Sequence, residues 1–197
     1  VYKKQGDLKK SMAFHERALD LYLSLNDQYS IGAAYVNMGP AYMELGELEK
    51  SLEISNKALT IFREINVGRG EAIALHNIGQ VYLRREDYKT AISYFKSSLP
   101  LRKDNNGQLY DLAGLAEAYA NIGRTDSALA FAKQGLAIAE QLDSHESAHK
   151  ITHILYQTYK ANKDYRNALL YHEKFLISKD SLFNNEKTIQ FRELQTK

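Results

Sequence analysis

Two histidines four residues apart flank a glutamate in the run His145-Glu146-Ser147-Ala148-His149. On a helix, residues four apart share a face, so both imidazoles could ligate one zinc ion while Glu146 served as base to a metal-bound water. His153 extends that face by one turn. The chemistry would be metal-assisted hydrolysis. Three features argue against it. No signature marks a third ligand downstream. Asp143 and Glu146 have the spacing of a capping box, which gives Glu146 a structural task at a helix start. The surrounding sequence also builds an open groove rather than a cleft that shields metal-bound water. The plain reading is histidines on an exposed helix, with adventitious divalent-metal binding by His149 and His153 as the alternative. No catalytic residue, metal site or cofactor is assigned, and the chain is read as a non-enzyme.

No other residue cluster offers a reaction. Nucleophile, base and orienting acid never fall together in a recognisable motif. Gly68-Arg69-Gly70 lacks the Lys-Ser/Thr of a phosphate loop and reads as a turn. Cysteine is absent, which removes disulfides, thiolate catalysis and zinc-thiolate sites together. The formal charge of +2 leaves no electrostatic footprint for nucleic acid or an anionic membrane surface. No apolar run approaches the ~18 residues of a spanning helix, so direct membrane insertion is not expected. A hydrophobic content of 44% is enough for a real core.

The elements that position these side chains are helices. Only two prolines occur, and no stretch alternates with the period of a strand. The stretch from Glu71 to Leu99 reads as two amphipathic helices joined at Arg85-Glu86-Asp87. Leu75, Ile78 and Tyr82 recur at helical spacing in the first, and Ala91, Phe95 and Leu99 in the second. Gly79 leaves room for a close neighbour. The unit recurs along the chain. A tyrosine column runs Tyr2, Tyr42, Tyr82, Tyr119 and Tyr159, and a small-residue column Ser11, Ser51, Ala91, Ala128 and Ala168. A leucine column runs Leu19, Leu59, Leu99, Leu136 and Leu176, and all three share the steps 40, 40, 37 and 40. Shared irregular steps in separate columns mark a repeat array. The short step lies between Leu99 and Tyr119, where Pro100 curtails a helix. The other proline, Pro40, sits inside a first helix, removes one backbone bond and is expected to kink it. His15 and His172 share the column of Phe95 and read as aromatic fillers between paired helices.

The expected units are about 1–27, 28–66, 67–104, 105–143 and 144–177. In the first, Val1 to Gln5 end a helix, Gly6-Asp7 make the turn, and Ser11 to Leu23 form the second helix. Residues 178–197 leave the repeat and read as a capping or linker helix. Because Val1 falls in mid-helix, the chain is expected to be a segment of a longer protein. Its compartment, bacterial periplasm or cytoplasm, stays open.

Leu75-x2-Ile78-Gly79-x2-Tyr82 followed by Ala91-x3-Phe95 resembles the tetratricopeptide repeat, with Leu75 where tryptophan is usual. Tyr35-x2-Met38-Gly39-x2-Tyr42 repeats the match. The long period is similar to the branch seen in kinesin light chain, the Pins-type polarity adaptors and bacterial Rap regulators. The resemblance implies an all-α, right-handed superhelix of about four and a half hairpins, and a protein-binding role rather than turnover. It implies that first helices face inward and line a peptide-binding groove. The lining would be Val36, Asn37, Pro40 and Met43 in the second unit, His76, Asn77, Gln80 and Arg84 in the third, Ala113, Glu117 and Asn121 in the fourth, and His153, Gln157 and Lys160 in the fifth. Asn37 and Asn77 fall where long-period relatives often contact the backbone of a bound peptide. An amide suits that task by offering a donor and an acceptor together. The alternative is that these amides only bond neighbouring helices. The tail is similar to the segment after the repeats in bacterial sensor proteins. The implied partner is therefore a peptide or protein in bacterial signal transduction. Against this stands a structural or dimerising arm for an adjacent output domain, self-associating through the C-terminal helix.

Overall fold

The computed structural model describes residues 2–179; before Ser11, the only side chain described is that of Leu8. All of 180–197 lies outside the described residues, and with it nearly all of the expected capping helix and the self-association assigned to it. Among the described residues there are helices and turns and no strand. In order they are α1 (Tyr2–Ser24), α2 (Gln28–Glu44), α3 (Leu48–Glu64), α4 (Gly68–Arg84), α5 (Tyr88–Ser98), a 3-10 turn at Leu99–Leu101, α6 (Asn105–Asn121), α7 (Thr125–Gln141) and α8 (His145–Ala161). A further helix, α9, occupies 165–179. The chain divides into two compact units between Lys103 and Asp104.

The repeat is more regular than its 40-residue period shows. Helices α2, α3, α4, α6, α7 and α8 have 17 residues each, and three residues link each to the next. Each such link contains one left-handed residue: Asn26, Gly46, Asn66 and Glu86 in the first unit, Gly123, Asp143 and Lys163 in the second. The following N–H reaches back five residues, as Glu47 N does to the Tyr42 carbonyl at 2.9 Å and Arg124 N to that of Tyr119 at 2.9 Å. That pattern is a Schellman turn, which satisfies carbonyls orphaned at the helix end. The exception follows Pro100. With no N–H to donate, Pro100 ends α5 early in the 3-10 turn, and the link reaches Asp104 in extended backbone. The three residues missing from the short step are missing here.

In the first unit, Phe62 of α3, Leu75 and Ile78 of α4 and Val36 of α2 form one buried cluster. The Phe62 ring lies where a β-carbon on Gly32 or Gly70 would come within 2.9 or 2.3 Å of it. Gly79 permits the approach of Phe95 in the same way, at 2.7 Å. In the second unit, Leu109, Leu136, Ile151, Leu155 and Tyr159 form the equivalent cluster across α6, α7 and α8. Three column tyrosines stack on the aromatic residue twelve positions later. Tyr82 meets Tyr94 with ring centroids 5.6 Å apart, Tyr119 meets Phe131 at 5.5 Å and Tyr159 meets Tyr171 at 5.5 Å. Tyr82, Tyr119 and Tyr159 thus share one environment, whereas the residue twelve positions after Tyr42 is Ile54 and Tyr42 packs on the cluster of Met12, Met38 and Ile54.

Two local expectations are corrected. Helix α1 runs unbroken through Gly6-Asp7. Five residues before that point make less than two turns, too little apolar stripe to reward a reversal. At α8, Ser144 and not Asp143 is the N-cap, and Asp143 takes the left-handed turn position instead, so there is no capping box with Glu146.

Candidate peptide-binding surface

A first helix has two faces to cover, one against its own partner and one against the next first helix. Helix α2 touches α4 as well as α3, and α6 touches α8 as well as α7. This second contact decides which expected lining residues are available. Val36, Asn77 and Ala113 are buried, at 6%, 4% and 7% exposure. Val36 and Ala113 belong to the packed clusters. These three are corrected from surface to interior. In the first unit Asn37, Pro40 and Arg84 are exposed, and Met43, His76 and Gln80 are half-buried.

The two asparagines differ although they share a column. Asn37 is exposed. The Asn77 Nδ2 donates to the Val36 carbonyl at 2.8 Å. That carbonyl is the one residue 40 would serve in an uninterrupted helix, and residue 40 is proline. Asn77 therefore supplies from α4 the bond that Pro40 removes from α2. Helix α2 continues through Pro40 to Glu44. Ser51 supports the same stretch by donating from Oγ to the Gly39 carbonyl at 2.9 Å.

In the second unit, Glu117 and Asn121 of α6 and His153 and Gln157 of α8 line one concavity of about 600 Å³. The volume lies in the range of small-ligand pockets. Ile154, Ala120 and Ala161 supply apolar surface, and Phe175 of α9 forms part of the wall. Lys150 Nζ lies 3.1 Å from Glu117 Oε2, so the strongest charges there are already paired. Gln157 Nε2 and His153 Nε2 are 3.1 Å apart, and Asn121 donates to the Glu117 carbonyl at 2.9 Å. Lys160 is exposed and lies over the Tyr156 ring, 5.6 Å from its centroid.

The histidines of the putting-together suggested by sequence do not converge on one point. His145 Nε2 faces Asp143 at 3.6 Å. The His149 ring stacks on Phe175 with centroids 4.4 Å apart, and its Nδ1 lies 3.2 Å from Ser178 Oγ. His153 lies 4.9 Å from the same Phe175 ring. Among the described residues no group of three His, Cys, Asp or Glu side chains is placed to hold a metal ion. His172 packs against Tyr156 of its paired helix, with centroids 4.7 Å apart. Phe175 is the residue that sequence reasoning passed over. Its column reads Ala18, Ala58, Ser98, Gly135 and Phe175, and extending the alignment by that one column would have shown it.

The family model for the tetratricopeptide repeat matches residues 30–104. No curated protein matches the chain in sequence. Solved structures similar to it include BtubC (BKLC) from P. vanneervenii, at TM-score 0.78 and 19% identity over 91% of this chain and 76% of that one. A putative kinesin light chain from Podosopora anserina with nearly identical TPR-like repeats is similar at TM-score 0.67 and 18% identity, over 92% and 91% of the two chains. A Rap protein complexed with Competence and Sporulation Factor is similar at TM-score 0.67 and 17% identity, over 93% of this chain and 62% of that one.

Proposed function

We propose that this chain, a tetratricopeptide-repeat protein, is an interaction module that binds a peptide or an extended segment of a partner protein against its first helices. The observation that carries the reading is the 600 Å³ concavity between successive first helices of the second unit. Ile154, Ala120, Ala161 and Phe175 give it apolar lining, and Asn121, Gln157, Glu117 and His153 give it polar lining. Pre-formed helices leave most of the ordering cost to the ligand. The likeness to a Rap protein solved with its factor supports a part in signal transduction. Selection of peptides from a random displayed library against the intact chain tests the reading. Asn121→Ala with Gln157→Ala is expected to weaken selected peptides about tenfold or more. Failure to enrich any peptide, or unchanged affinity in the double variant, overturns it.

A second reading rests on apolar side chains at the outer helices. Phe14 and Leu21 of α1 and Leu25 in the link after it are 69%, 56% and 67% exposed, and Leu169 and Ile177 of α9 are 60% and 67% exposed. Such surface favours a structural arm that packs on a neighbouring domain or copy. Sedimentation of wild type beside Phe14→Ser with Leu21→Ser tests it, the association being lost in the variant.

A further inference from the structure

We infer that Phe175, with His149 and His153, forms an anchor subsite for an uncharged aromatic side chain of the bound peptide. This rests on the peptide-binding reading and deepens it. The argument starts from what the repeat does elsewhere. At the Phe175 position the array has Ala18, Ala58, Ser98 and Gly135, and of these Ala58, Ser98 and Gly135 are buried. In the second unit a β-carbon on Gly135 would lie 3.1 Å from Ile151 of the following first helix and 3.4 Å from Leu112. Small size there lets the next hairpin close in. In the last described hairpin the column turns to phenylalanine. The His149 column changes with it, after Gly32, Ala72 and Leu109, whereas the His153 column, Val36, His76 and Ala113, already carries a histidine in the third unit.

The result is a wall of rings on the concavity. Phe175 lies 4.4 Å from His149 and 4.9 Å from His153, centroid to centroid. All three line the pocket with Ile154, Ala120 and Ala161. If the rings served only to cover the end of the array, they would bury one another. Instead His153 is exposed and Phe175 and His149 are half-buried, facing open volume. Glu117 Oε2 and Lys150 Nζ, the carboxylate and the ammonium of the lining, lie 3.1 Å apart and offset each other, which leaves the rings as the distinctive surface. An aromatic ring gains stacking and edge contacts with the wall and disturbs nothing. On the polar rim the Asn121 and Gln157 amide nitrogens are engaged with the Glu117 carbonyl and His153, and their amide oxygens can accept from peptide N–H groups.

The test is the composition of peptides selected from a random library on wild type, Phe175→Ala and His153→Ala chains. The anchor predicts that wild type enriches Phe, Tyr or Trp at one fixed position. It predicts that each selected peptide binds Phe175→Ala and His153→Ala about tenfold more weakly, and that replacing its aromatic residue by Ala has the same effect. His153 is exposed, so its replacement leaves folding intact, and circular dichroism checks Phe175→Ala. Peptides enriched without an aromatic position, or with affinity unmoved by either variant, overturn the anchor while the groove reading stands. Enrichment of Asp- or Arg-centred peptides at that position overturns it equally. Absence of any enriched peptide removes the groove reading and the anchor with it.

Discussion

At the scale of single residues, Asn77 and Pro40 show how a defect in one helix is answered from another. A buried carbonyl without a donor costs about 1–3 kcal/mol, and Val36 is buried. Asn77→Ala is therefore expected to destabilise the chain by about that amount in chemical denaturation. In a Pro40→Ala background the backbone N–H of residue 40 reaches Val36 again, so the same substitution costs less. A double-mutant cycle should give a coupling of about 1 kcal/mol or more, and additive effects would show that the two are independent. Gly79 is the steric counterpart. Its β-carbon would stand 2.7 Å from the Phe95 ring, which is wholly buried. Gly79→Ala is expected to cost about 1–3 kcal/mol by overpacking, read as a lowered denaturation midpoint with an unchanged slope.

At the scale of elements, the turns and caps set where each helix stops. Of the seven left-handed link residues only Gly46 and Gly123 are glycine. Glu86 holds φ 60° with a full side chain, a conformation that costs a non-glycine residue about 1 kcal/mol. Glu86→Gly is expected to raise stability by roughly that amount, and a lowered thermal midpoint would contradict the account. Aspartate caps α2 and α9. Asp27 accepts from Ser30 N at 3.1 Å and Asp164 from Asn167 N at 3.2 Å. Side-chain hydrogen bonds from Ser30 and Asn167 are the first cause that holds both carboxyls below the usual aspartate range. A depressed carboxyl contributes stability above its unfolded value, and that contribution is lost as pH falls through the lowered folded value. The thermal midpoint of wild type should therefore fall below pH about 4 more steeply than that of Asp27→Asn with Asp164→Asn, whose caps do not titrate.

At the scale of the molecule, each hairpin is stable only through its neighbours, and the neighbours are grouped. Leu155 is fully buried among Leu109, Leu136 and Ile151, all within the second unit. Leu155→Ala is expected to cost about 2–5 kcal/mol. Contacts cluster on either side of Lys103, so faster hydrogen exchange should concentrate in α6, α7 and α8. Equal acceleration in α2, α3 and α4 would show that the two units unfold as one.

The order of residues was sufficient for the hairpins after the first, where α1 runs straight through the expected turn. Columns at Tyr82, Tyr119 and Tyr159 share their steps because each tyrosine stacks on an aromatic ring in its own hairpin, a local requirement that any alignment exposes, while Tyr42 keeps the spacing but packs against the Met12, Met38 and Ile54 cluster. Pro100 likewise announces its break, since a missing N–H acts where it stands. What lines the candidate site was legible only in part. Asn37 and Asn77 occupy one column, yet the first meets solvent and the second is drawn inside by a proline 37 positions away. Likewise, whether His149 faces a metal, solvent or a ring depended on Phe175, 26 residues later on another helix. Periodicity reports the face a side chain takes on its own helix. Which second helix reaches that face, and with what atoms, is settled by packing between elements that no local spacing encodes.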